Sequence, residues 1–223
     1  MKSSYFRSTK NSMLVALVTI TTAAIFLLLL LLFSRAKGIS TALLMNDPLS
    51  TLNAPFYTGI SSNIGNIFWF SAAAICLYSY LIIKDIEYDK SLKSFVLFTG
   101  ILILYLALDD FFILHENYRD ILHIPEILTY IIYGLLMVAY LVKFNKLILE
   151  SEYSILLIIA FIFLGSSIMA DIIQKITYIP KIPFRNFIKD GFKLTGILFW
   201  FSFIICYCKK MLMKDLPKQE AQK

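Results

Sequence analysis

Long uncharged apolar runs alternate along the chain with short connections that carry almost all of its charge. A hydrocarbon core about 30 Å thick is crossed by about 20 residues rising roughly 1.5 Å each, so uncharged runs of roughly 17–25 residues read as transmembrane helices. Six runs qualify, four of them with one or two charged residues near an end: 13–33, 63–83, 94–114, 124–142, 154–173 and 191–208. Lipid offers the backbone no hydrogen-bond partner, which leaves the helix as the conformation for runs of this length. The pattern predicts an all-α polytopic membrane protein, a bundle of six transmembrane helices forming one membrane domain over 1–223 and ending in a basic tail at 209–223. Two connections, 34–62 and 174–190, are long enough to carry structure of their own.

Orientation follows from the basic residues, which favour the cytoplasmic side of short loops. With the N-terminus inside, 13 of the 21 Lys and Arg fall in cytoplasmic segments and 8 outside. Both termini are therefore expected in the cytoplasm and the protein in the plasma (cytoplasmic) membrane. The first run has 21 residues, longer than the roughly 7–15 of a signal-peptide core, and FSRAKG after it is a poor small-residue cleavage site. It reads as an uncleaved anchor.

Composition sharpens this picture. Of 223 residues 59% are hydrophobic and 16% charged, against about 25% charged in an average soluble domain, and a soluble globular protein is excluded. The only histidines are His115 and His123, and the only cysteines Cys76, Cys206 and Cys208. One copy cannot build a His₃ or Cys₄ zinc site or a disulfide scaffold, and Cys206 and Cys208 read as packing residues. The net charge of +6 resides in loops and tail, where it meets anionic head groups. Membrane lipids are the expected partners; nothing indicates nucleic acid or a soluble protein, and nothing fixes an oligomeric state.

Ionisable residues at membrane depth are costly and mark function. The third run ends LALDDFFIL and is followed at once by His115 and Glu116, placing these two beside Asp109 and Asp110. On a continuous helix Asp109 and Glu116 would be nearly eclipsed two turns apart, with His115 on a different flank. The fifth run carries Ser167, Asp171 and Gln174 at i, i+4 and i+7, one helix face. Asp109 and Asp171 fall within about 5 Å in depth at one end of their spans. The second span starts at that end with Ser61, Asn63 and Asn66, and the sixth with Lys189 and Lys193. The inner halves carry few ionisable groups, so the arrangement predicts an outward-opening polar pocket.

Carboxylates with one histidine suit one divalent cation, hard or borderline, held by Asp109, Asp110, His115, Glu116 and Asp171. Such an ion polarises an ester or phosphoryl group while Asp109, His115 and Glu116 handle protons. This gives the leading expectation, a metal-dependent hydrolase or transferase for a lipid or lipid-linked substrate. Close carboxylates without metal instead raise one another's proton affinity, as in a small proton- or cation-coupled transporter or channel-like protein. A third expectation is a non-catalytic assembly, immunity or sensor protein, in which Glu116 and His115 are solvated loop residues and Asp109 forms an ion pair, for instance with Lys193. His123, just before Pro125, reads as an interfacial loop residue.

No G-x-x-x-x-G-K-[ST] or H-E-x-x-H is present, no G-x-S-x-G surrounds Ser166 or Ser167, and Asp109-Asp110 opens no D-D-x-x-D. The run FYTGISSN (Phe56–Asn63), followed later by a span-end acid and histidine, resembles the alkaline-ceramidase-like membrane hydrolases. That family's pattern also needs a pair of histidines on the last span, and no histidine follows His123, so its zinc site does not carry over.

Overall fold

The computed structural model describes residues 2–45, 48–115, 117–118, 123, 125–177 and 185–213, and every regular element among them is a helix. Six of these helices are long and apolar enough to cross a membrane, the mark of an integral membrane protein. They fall into two compact units, Met1–Thr58 and Gly59–Lys223.

The first unit holds α1 (Lys2–Lys37), α2 (Thr41–Met45) and α3 (Pro48–Thr51). Helix α1 stops where Gly38 takes φ 65°, a left-handed conformation that costs glycine nothing. Ile39 N–H then bonds the Ser34 carbonyl at 3.0 Å, and Arg35 and Lys37 occupy the last turn, where cations complement the helix dipole. Within this unit the apolar side chains from Leu17 to Phe33 are almost all exposed, as a helix surrounded by acyl chains requires.

The second unit contains α4 (Ile60–Ile83), α5 (Lys90–Phe112), α6 (Glu126–Leu149), α7 (Ser154–Thr177) and α8 (Arg185–Met213). Close approaches link α5 to α4, α4 to α8 and α8 to α7. Small residues make two of them possible. A Cβ on Gly196 would lie 2.7 Å from Leu164 Cγ and 3.0 Å from the Ala160 carbonyl, and one on Gly100 would meet Cys76 Cβ at 3.0 Å. Helix α6 completes the ring at a distance, touching α5 and α7 lightly. Aromatic side chains bridge the gap: Phe95 on α5 packs against Tyr140 and Phe144 on α6, and Thr99 and Tyr140 share a buried hydroxyl hydrogen bond of 2.8 Å.

The centre is dry. Trp69 and Trp200 meet edge to face at 5.3 Å, Phe161 packs on Trp200 at 5.0 Å, and Ile103, Ile197 and Phe203 are fully buried around them. The helices extend past the apolar runs. Helix α6 continues to Leu149, seven residues beyond position 142, because Lys143 and Lys146 can hold their charge in the head-group layer on long apolar stems; the Lys143 ammonium lies 3.9 Å over the Phe98 ring. Helix α5 falls short of Leu114, because Ile113 takes φ 53°, ψ 41° and returns its N–H to the Asp109 carbonyl.

Candidate functional site

Chain breaks determine the site's geometry. Helix α5 begins with a side-chain cap, Asp89 accepting from Ser91 N–H, and would carry its pattern straight through Asp109, Asp110 and His115. The left-handed Ile113 prevents this. The chain turns back, and His115 Nδ1 comes 2.8 Å from Asp109 Oδ2. The expectation that His115 occupies a different flank from Asp109 assumed an unbroken helix and is corrected here. Glu116 lies outside the described residues.

An imidazole N–H facing a carboxylate at this distance donates to it, and with Nδ1 so engaged Nε2 is the ring's other nitrogen. Asp109 is nearly inaccessible, with 4% exposure, and its second oxygen, Oδ1, has no hydrogen-bond partner among the described residues. Asp110 accepts from the Lys193 ammonium, a pairing that crosses from α5 to α8. Its Oδ2 is likewise buried and unpartnered among the described residues. Lys193 thus pairs with Asp110 and not with Asp109.

Asp171 on α7 is held from two sides, by the Lys189 ammonium at 3.3 Å on Oδ1 and by the Tyr130 hydroxyl, which donates to Oδ2 at 2.8 Å. Lys189 also approaches the half-exposed Asp190 at 3.9 Å. One turn from Asp171, the buried Ser167 hydroxyl donates to the Lys189 carbonyl at 2.9 Å and ties α7 to α8. Gln174 belongs to α7, but its side chain lies outside the described residues. Lys189 and Lys193 are four apart and share a helix face, so one turn of α8 serves carboxylates of two other helices.

Beside this set Tyr105 donates to Tyr133 at 3.2 Å, and the Tyr118 hydroxyl lies 3.5 Å from that of Tyr105. Tyr105, burial and the Asp109 charge push the Tyr118 hydroxyl up to about 12, so it stays protonated. The polar start of α4 joins only in part: Asn66 is buried with Oδ1 unpartnered among the described residues, Ser61 is half-buried and Asn63 is exposed. His123 lies exposed in the connection before α6 with φ 55°.

Sequence reasoning missed Tyr130 and Tyr133 as members of the site, and named Lys189 without assigning it a partner. Lys189 had a signal in its i, i+4 spacing to Lys193, whereas the tyrosines were indistinguishable from an interfacial aromatic belt. Among the described residues no group of three or more His, Cys, Asp or Glu is placed to hold a metal ion. The donors nearest to that role are Asp109 Oδ1 and Asp110 Oδ2.

No curated protein and no solved structure matches this chain. A family model described as "Domain of unknown function (DUF8692)" matches residues 14–207, from the first apolar run through all five helices that build the site. The chain belongs to that family.

Proposed function

We propose that this is a six-span plasma-membrane protein with both termini cytoplasmic, whose outward-facing site performs acid–base chemistry on a lipid or lipid-linked substrate as a hydrolase or transferase. His115 is the general base: oriented by Asp109 through Nδ1, it takes a proton at Nε2 from the attacking water or hydroxyl. The observation that carries this reading is the 2.8 Å Asp109–His115 contact, built by a left-handed residue at the mouth of an otherwise apolar bundle. Lys193 pairs with Asp110 and Lys189 with Asp171 beside it. If a divalent ion takes part, Asp109 Oδ1 and Asp110 Oδ2 are its first donors, and Lys193 competes with it for Asp110. The Trp69–Trp200 plug behind the site favours chemistry at one face over passage through the bundle.

The test is turnover of a labelled membrane-lipid panel by reconstituted protein, with elemental analysis of the same preparation. Positioned acid–base groups contribute about 10²–10⁴-fold, so Asp109→Asn and His115→Ala should each lose activity on that scale while still unfolding cooperatively. Full activity in both variants ends the proposal.

A second reading, proton- or cation-coupled transport, has one specific observation in its favour: the two buried, unpartnered carboxylate oxygens, Asp109 Oδ1 and Asp110 Oδ2. It predicts pH-driven flux into sealed vesicles that Asp109→Asn abolishes.

A further inference from the structure

At the opposite end of the second unit a cavity of about 490 Å³ opens against Tyr153, Cys206, Lys209, Lys210 and Met213. The α8 residues recur at spacings of three and four and form one helix face, and Tyr153 closes the cavity from the start of α7. In a bilayer this is where charge returns after the apolar run 191–208. Cys206 lies one turn on the hydrocarbon side of the two lysines. It is an open groove on the helix surface, with a wall that is apolar below and cationic above.

The two ammonium groups are in different states. Lys210 Nζ sits 2.8 Å from Glu152 Oε2, and that bond holds the Glu152 carboxyl below its usual range, so at neutral pH the charge of Lys210 is matched. Lys209 is exposed and has no carboxylate partner among the described residues. Among the described residues, Lys209 therefore presents a positive charge without a carboxylate beside an apolar wall. A free anion would satisfy the charge and leave the wall unused. A zwitterionic head group would bring a second ammonium next to Lys209.

We infer that this cavity seats the phosphate of an anionic glycerophospholipid on Lys209, with the adjoining acyl chain covering Cys206. Lys210 is held back from the lipid by Glu152. The site is separate from the Asp109–His115 end and does not rest on the function proposed for it.

The test uses the full chain reconstituted in phosphatidylcholine with increasing phosphatidylglycerol, and reads the rate of N-ethylmaleimide alkylation at Cys206 by peptide mass. Cys76 and Cys208 are buried and serve as internal references for an intact fold. Phosphatidylglycerol should slow alkylation of Cys206. A lysine at a membrane surface contributes about 1 kcal/mol, so Lys209→Gln should need about five-fold more of the lipid for the same protection. Glu152→Gln, which releases Lys210, should need less than wild type. Equal protection in wild type and Lys209→Gln, no protection in wild type, or protection by soluble glycerol phosphate to the same degree would each overturn the inference.

Discussion

Ile113 is a β-branched residue held at φ 53°, a conformation that costs a side-chain-bearing residue roughly 1–2 kcal/mol. Its side chain is 48% exposed, so little packing offsets the strain. Replacing it with glycine should raise thermal stability in detergent by about 1 kcal/mol and leave His115 in place. Proline, fixed near φ −65°, should straighten the turn, separate His115 from Asp109 and remove activity. Lys193→Met exposes the opposite dependence, because it strands Asp110. Breaking a wholly buried pair costs about 3–5 kcal/mol; with the Lys193 side chain 32% exposed, about 2 kcal/mol is expected in a melting experiment, and adding Asp110→Leu should recover most of it. The acids themselves were legible in the sequence, since charge stands out in an apolar run. Their pairing was not: no glycine or asparagine marks position 113, and a helix drawn through it turns His115 away from Asp109.

The long elements were the most legible part of the fold, because hydropathy reports how many residues lie in hydrocarbon. Hydropathy does not report where a helix ends, hence the extra turns of α6 and α8, or which helices touch. Neighbours are determined by small residues, whose effect depends on what they face. Gly196 meets Leu164 and the Ala160 carbonyl, whereas Gly134 and Gly165 meet nothing within 4 Å. Gly196→Ala should therefore cost about 1–3 kcal/mol through overpacking and loosen α7 from α8. Gly134→Ala should be neutral or stabilising by up to about 1 kcal/mol, since alanine loses less entropy in a helix. Denaturant titration of the two variants in one detergent separates them. The aromatic spacers of α6 predict a further difference: its amides should exchange hydrogen faster than those of α4 or α8, which bury more of their length.

At the scale of the whole chain, the proposed topology makes the two ends of the second unit chemically distinguishable from either side of the membrane. A cysteine placed at exposed His123 in a cysteine-free protein should react with a membrane-impermeant maleimide added to intact cells, and one placed at Lys90 should react only after permeabilisation; the reverse pattern would invert the orientation. The ion pairs that join the helices also impose an order in time. Asp110 and its partner Lys193 are 83 residues apart, and translation at about 5–20 residues per second delivers the second roughly 4–17 s after the first. During that interval α5 is in the membrane with Asp110 near its end and no lysine to meet it. Helix α8 supplies the counter-charges for two earlier helices, so a ribosome stalled before residue 193 leaves a nascent chain whose acids must stay at the water interface, exposed to the cell's quality control.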